Sequence, residues 1–594
     1  MRSPFLPLLL GLATASSALA ADLHVDPVNG VDTVGGGSQA QPYRTIGFAS
    51  LQSVAGDVLV LRPGTYGLGS GESFPITLKA GTTLQGASSA TTIISAAGAG
   101  AAAEMTLFVD AEPGQGPLVL RDLTMRQGGG RFPEMSMLAS HALDMERCAV
   151  EGGLAGIVYE PWEDAASDDL RIVQCQFTNQ TEAAVEALLA PHATQPVEVV
   201  FSDNVVIGGA FAVELMEFFP STVANGTVTV TGNTMTGGAS IHCGHIWAND
   251  LPNPRFGDWT FADNDLGTNS LDGLGFGYEA HTGSGDLDLL VAMTGNTCNG
   301  QFVGGGIECG GASGTGDSNV FLYVDGNEFS GPEAGLEVGL LNPDDGVFGL
   351  HEFEVIGNRA QGGLMGAIIA FEQLTPGAGN LDKWITLRDN VLSGADAGAA
   401  VIAETVPGGS MFVEVDMGTA TWLGGNSFSA TSVGGSALLV TGEGEPWPTG
   451  FDAIAAQGNR WGTTDLAAIE AMVFHSPDEP GVATVDYSNP LTANLQFTVS
   501  PASPAPGDLV TVTAQAGTVF SLRAGLDTVG MSLGGVAVLD ASIGGAGQTL
   551  TGTVPASLAG GSTVQLVVTN PDGTTGSTSL TLGAGGGGGG GNQA

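Results

Sequence analysis

The stretch Thr227-Val228-Thr229-Val230-Thr231-Gly232-Asn233-Thr234-Met235 decides the fold, because its closing phrase returns at a fixed interval. Each time an alternating strand-like run leads into an asparagine, and in most repeats an apolar residue follows two positions later. The asparagines are Asn204, Asn233, Asn264, Asn296, Asn327, Asn358, Asn390, Asn426 and Asn459, spaced 29, 31, 32, 31, 31, 32, 36 and 33 residues apart. A period of this size is the mark of a solenoid, in which each repeat rests on its neighbours. Glycines and a second short run follow each asparagine, as in Ala212-Val213-Glu214-Leu215 and Gly335-Leu336-Glu337-Val338. Period-2 alternation broken by Gly, Asn and Asp predicts short strands turned at sharp corners. The expected fold class is all-β: a right-handed parallel β-helix, a single-stranded solenoid with one coil per repeat. Asparagine tolerates left-handed backbone at a corner and can bond to its counterparts above and below, which predicts a ladder.

Working outward, Met1-Arg2 and the apolar run Phe5 to Ala13 precede Ala18-Leu19-Ala20. This is the pattern of a signal peptide over residues 1–20, cleaved near Ala20. The apolar run is too short to span a membrane, so the expected localisation is secreted, extracellular or cell-surface. The chain holds 61 acidic against 15 basic residues, a formal net charge of −46. Such a charge repels phosphates and anionic lipids, so nucleic acid is not an expected partner. No segment of the mature chain reads as transmembrane, and a monomer is expected.

Three linked motifs open the mature chain: Leu23-His24-Val25-Asp26-Pro27-Val28-Asn29-Gly30-Val31-Asp32, Pro42-Tyr43-Arg44-Thr45-Ile46, and Gly56-Asp57-Val58-Leu59-Val60-Leu61-Arg62-Pro63-Gly64-Thr65-Tyr66. Together they resemble the DUF1565 module that opens many secreted pectin-lyase-like β-helix proteins. The resemblance implies an N-terminal cap and first coils over residues 21–110, then a β-helix with its C-terminal cap over 111–492. Within the module, Asp26, Asn29 and Asp32 cluster around Gly30. They read either as a calcium loop, since hard cations take oxygen ligands, or as an Asx-rich turn.

Cys148 and Cys175 take the corner position that asparagine holds in later coils, one coil apart. A disulfide and a stack of two reduced thiols are both open, since strand spacing lies within the span a disulfide bridges. Cys243, Cys298 and Cys309 read as small core residues. Alternation sends His242 and Cys243 to opposite faces, so His-Cys-Gly-His is no zinc motif.

Aligning the second runs on their shared pattern puts Glu186, Glu214, His242, Glu279, Glu308 and Glu337 in one outward column, one per coil. His281 falls on the same face as Glu279, and Trp162, Phe218, Phe219 and Trp247 lie nearby in sequence. Three uses compete for this face. It could bind carbohydrate, with rings on sugars and carboxylates on hydroxyls. It could do acid–base work as a polysaccharide lyase or glycoside hydrolase, with Glu214, His242, Glu279, His281 and Glu308 as catalytic candidates. It could be a solvated acidic face, with calcium as the one cofactor in view. The resemblance implies a lyase set of calcium-holding aspartates and a Lys or Arg base. The chain has no lysine between Lys79 and Lys383, and no motif surrounds Arg171, Arg255 or Arg359. The expected function is therefore binding of an extracellular polysaccharide or cell-surface glycan, with catalysis as the alternative.

After Asn459-Arg460-Trp461-Gly462, a short helix and a last strand are expected to cover the open end. From Gln496 strand runs and turn residues predict a β-sandwich over 496–583. Its Val564-Gln565-Leu566-Val567-Val568-Thr569-Asn570-Pro571-Asp572-Gly573 resembles the IPT/TIG group of Ig-like domains. Residues 584–594 read as a Gly-rich flexible tail.

Overall fold

The computed structural model describes residues 20–99, 105–110, 115–126, 135–160, 169–188, 197–209, 211–216, 225–236, 240–243, 255–268, 274–280, 287–311, 318–342, 349–373, 381–405, 412–442, 447–492, 494–515, 518, 520, 529–544, 547–570 and 574–584. Three parallel sheets of 16, 13 and 14 strands run the length of the first unit, and each full coil gives one strand to each. We call them sheets I, II and III in the order the chain visits them. Ser318–Asp325, Glu328–Gly331 and Ala334–Asn342 form one such coil. Its inward residues Val320, Leu322, Val324, Phe329, Leu336, Val338 and Leu340 are at most 2% exposed. Coils stack in register, so apolar side chains form columns inside the tube. The Phe329 ring takes so much of this space that a Cβ on Gly305 would sit 2.7 Å from it.

The ladder forms at the corner between sheets I and II. Asn327 donates from its backbone N–H (2.9 Å) and from Nδ2 (2.9 Å) to Asn358 Oδ1, and from Nδ2 (2.8 Å) to Met293 O. The same set repeats at the other steps from Asn204 to Asn459, all of them buried. One feature differs from expectation. The left-handed residue is the one before the ladder position: Asp203, Gly232, Asp263, Gly295, Gly326, Gly357, Asp389, Gly425 and Gly458 all have φ between 53° and 70°. Asn, freed from that backbone task, spends its whole amide on the ladder.

Below Asn204 the ladder continues in sulfur. Cys175 N–H donates to Asn204 Oδ1 at 2.8 Å, and Cys148 N–H reaches Cys175 Sγ at 3.4 Å. Both cysteines are buried free thiols, which is the second of the two expected readings. Burial, with the neighbouring Cys175 thiol adding to it, pushes the Cys148 thiol well above the ordinary range.

Both ends are covered. At the start Thr45 caps the helix Ile46–Gln52, and its buried face packs on the first coils. The buried Glu72 carboxylate accepts from the Ile46 and Gly47 N–H groups at that helix start. At the far end Asp465 caps the short helix Leu466–Glu470, and Val473–Phe474 and Thr484–Asp486 pair with the last coil. Trp461 lies 3% exposed against Phe428, as a capping residue should. Beyond it, two four-stranded antiparallel sheets close on one core containing Val510, Val512, Leu550, Leu566 and Val568.

A buried base stands out inside the tube. Lys383 is fully buried beside its register partner His351, and its Nζ donates to Leu340 O at 3.1 Å. Burial pushes the amine down to about 7, with Glu372 pulling the other way, and pushes His351 down to about 3.

Two outcomes test this account. Cys175→Asn should extend the ladder by offering Oδ1 to Cys148 N–H and stabilise by about 0.5–1.5 kcal/mol in chemical unfolding. Cys298→Asn, off the ladder in the same core, should destabilise. For Lys383 the native state binds fewer protons than the unfolded state between pH 7 and 10.5. The cost of burying this amine is therefore full below pH 7 and is relieved as pH rises toward 10.5, so stability rises through that window. Lys383→Met should flatten this slope and stabilise at pH 7 by about 1–3 kcal/mol, read from unfolding curves at several pH values.

Candidate functional site

The column expected on sheet III is straight for only three coils. Glu186 pairs with Glu214 and Glu214 with His242, as expected. The next register partner is Gly275, four residues before Glu279. Gly275 pairs with Gly306, not Glu308, and Gly306 pairs with Glu337. His242 therefore has one acidic neighbour in the column, Glu214, where two were expected.

The positions of Glu279 and Glu308, whose side chains lie outside the described residues, keep the strand parity of Glu337 but step sideways. Glu279 pairs with Gly310, Glu308 lies between Gly277 and Gly339, and Glu337 pairs with Gly306. Each successive carboxylate position is one coil on and two residues back, a diagonal step of about 8 Å between Cα atoms. Like charges directly opposite on a sheet destabilise it, and here Glu279 pairs with Gly310, Glu308 with two glycines, and Glu337 with Gly306 and Ile368. Gly275, Gly277, Gly306, Gly310 and Gly339 form a bare floor from which the diagonal rises. A Cβ on Gly306 would meet nothing within 4 Å, so the space above it is open. Toward the start of the column Glu186 is half-buried, and burial, Glu182 and Glu160 push its carboxyl up. Trp162, Phe218, Phe219, Trp247 and His281 lie outside the described residues.

The N-terminal cluster resolves into turns. Asp26 Oδ1 accepts from Val28 and Asn29 N–H, and its Oδ2 from the Asn29 amide and Arg62. Burial raises its carboxyl, but those donors together outweigh it and hold the group at about 2. Asp32 accepts from Arg44 and Thr45 N–H and from the Thr45 hydroxyl. The donors already spent on both carboxylates are those of an Asx-rich turn. Among the described residues no group of three His, Cys, Asp or Glu side chains could hold a metal ion.

Sheet I carries a second patterned face that the sequence reading passed over. Its outward column runs Asp258, Leu290, Phe321, Glu352, Trp384, Glu414, with Ala292, Tyr323, Glu354, Thr386, Asp416 beside it. Tyr323 and Trp384 are 41% and 43% exposed on a face that mixes apolar residues with carboxylates. Glu354 is pushed up by burial and by Glu352, against the pull of Arg388. The phenol of Tyr323 is pushed up by burial and by Glu354 and Glu352, which places both carboxylates within its field.

The family described as DUF1565, a protein of unknown function, matches residues 28–119. No curated protein matches the chain. Among solved structures, a tailspike protein of E. coli bacteriophage HK620 in complex with a pentasaccharide is similar with a TM-score of 0.29 and 12% identity, covering 90% of this chain and 87% of that one. A rhamnogalacturonan lyase is similar with a TM-score of 0.18 and 12% identity over 65% of this chain and 82% of that one. A complex of XylC with xylose gives a TM-score of 0.20 and 9% identity over 83% and 89%. At such scores the function has to be argued from the chain's own faces. No helix among the described residues is long and apolar enough to cross a membrane.

The turn reading of Asp26 has a direct test. The native carboxyl is held at about 2 against an ordinary 3.8, so its stabilisation is present above pH 3.8 and lost as pH falls toward 2. Asp26→Ala should destabilise the protein by about 2–3 kcal/mol, and by the same amount in calcium and in chelator. A loss that appears only in calcium would favour the cation loop.

Proposed function

We propose that the chain is exported and binds an extracellular polysaccharide across the outer face of sheet III. The observation that carries this is the glycine floor crossed by the diagonal Glu279, Glu308, Glu337. Glycine removes the side-chain layer over two coils, leaving a shallow bed about 10 Å wide along the stack. Carboxylates at its rim accept hydrogen bonds from sugar hydroxyls, the kind of convergent polar group that orients a ligand on a shaped surface. The leader-like residues 1–20 and the charge of −46 fit a soluble exported protein without phosphate or lipid partners. Calcium enters this reading only as a bridge between these carboxylates and an acidic glycan.

The same diagonal favours a second reading, hydrolysis. Successive glutamate positions on one outer face offer the pair of carboxyl groups that an inverting glycosidase needs, one as acid and one as base. Glu308 with Glu279 or Glu337 would then share the acid and base roles.

The test uses Gly306→Trp in the full chain, because a Cβ there meets nothing within 4 Å and the indole beyond it would fill the bed. Retention on immobilised uronate-containing and neutral polysaccharides is measured with and without calcium. The variant should keep its unfolding curve and lose at least about tenfold in affinity. Unchanged retention on every polymer that the parent binds would overturn the reading. Reducing-end release by the parent, lost in Glu308→Gln, would establish hydrolysis in place of binding alone.

A further inference from the structure

We infer a second, separate carbohydrate surface on the outer face of sheet I, suited to a neutral, extended polysaccharide lying along the solenoid axis. Its rings come from Phe321, Tyr323, Trp384 and Phe412, and its hydrogen-bond acceptors from Glu352 and Glu354. Leu290, Phe321, Glu352, Trp384 and Glu414 are consecutive register partners, one per coil. Tyr323 and Glu354 pair beside them, and Phe412 follows Asp382 at the next outward position. Trp384, Tyr323 and Phe412 are 43%, 41% and 58% exposed, so these aromatic side chains are open to solvent.

The spacing selects the ligand. Phe321 and Trp384 are two coils apart, about 10 Å, with the carboxylate of Glu352 in the coil between them. Two sugar rings of an extended chain advance by about this distance, so alternate sugars meet a ring while the intervening hydroxyls meet Glu352 and Glu354. Aromatic faces stack on the C–H faces of sugars, and carboxylates accept from hydroxyls, which together recognise a ligand that is apolar on its faces and polar at its edge.

Charge removes the competing occupants. The face carries Glu352, Glu354, Asp382, Glu414 and Asp416, and the Arg388 guanidinium is held by Asp416 at 2.5 Å. A polyuronate or a second copy of this chain would bring negative charge onto carboxylates. A neutral glycan brings hydroxyl donors and no charge. Burial and the Glu352 charge push the Glu354 carboxyl up, against the pull of Arg388, and hydroxyl donors would favour its charged form.

Affinity electrophoresis of the full chain through gels containing xylan, β-glucan or galactomannan tests this, alongside Trp384→Ala, Phe321→Ala and Gly306→Trp. The proposal expects retardation by at least one neutral polymer, weakened about tenfold or more by either ring deletion. Gly306→Trp should leave that retardation in place, since it lies on another sheet, so failure here and failure of the sheet III reading are distinguishable. Indole fluorescence should shift on adding the retarding polymer and lose that shift in Trp384→Ala. No retardation by any neutral polymer overturns the proposal, as does retardation that both ring deletions leave unchanged. Self-association in sedimentation that Trp384→Ala abolishes would assign the face to a second copy and overturn it equally.

Discussion

Everything in the solenoid depends on how one buried corner satisfies its backbone. Where sheet I turns into sheet II the chain must bend sharply with no water to pair its peptide groups, and an orphaned N–H or C=O there costs about 1–3 kcal/mol. Asn answers both needs with one side chain: its carbonyl takes two donors from the preceding coil and its amide feeds a carbonyl there. Every coil must then bring its asparagine to the same height, whatever else its sequence does. The longest coil shows this. Asn390 to Asn426 spans 36 residues, and the Asn390 N–H still meets Asn426 Oδ1 at 3.0 Å because the added residues are looped out before the corner.

A ladder pinned at one corner leaves the opposite side of the coil freer. Sheet III is reached after a second turn, and there the pairing of Phe211 and Val213 with the next coil shifts register at a bulge. Counting on from the ladder, Glu214, Gly306, Glu337, Ile368 and Ala400 each stand ten residues after their asparagine, His242 nine and Gly275 eleven. A slip of one residue at the turn is absorbed by a bulge, whereas the glutamate motif itself wanders by two and by four.

That difference marks how far the site was legible. The repeat, the corner and the inward columns could be read, because each is fixed by a strict period or a strict alternation, whereas the N-terminal cap was legible only through the resemblance of its motifs. The position of Glu279 and Glu308 along their strands was misjudged because small–apolar–Glu–small looks the same after any even shift. Alternation reports which face a residue takes and is blind to displacement along that face. Counting ten from Asn296 would have found Gly306, and counting from Asn264 would have come within one residue of Gly275, and with them the bare floor. The same ruler, laid backward, finds the sheet I face: Leu290, Phe321, Glu352 and Trp384 all stand six residues before their asparagine. Attention to the runs after the asparagines hid it.

Charge then separates stability from function along the tube. In the early coils acids and cations are matched: Arg62 with Asp26, Arg121 with Asp144 and Glu146, Arg126 with Glu151, Arg147 with Asp122, Arg171 with Asp144. Exposed pairs of this kind contribute little each, but they cancel charge over the first coils of the solenoid. Further along the supply of cations nearly stops, Lys383 is sealed inside, and carboxylates continue to appear on both outer faces. Crowded surface acids do nothing for the core and repel one another. On sheet III glycine neighbours dilute that repulsion, and on sheet I aromatic neighbours do so. A face that tolerates carboxylates by surrounding them with bare backbone or with rings has the two elements that a sugar needs, a flat apolar bed and acceptors at its rim.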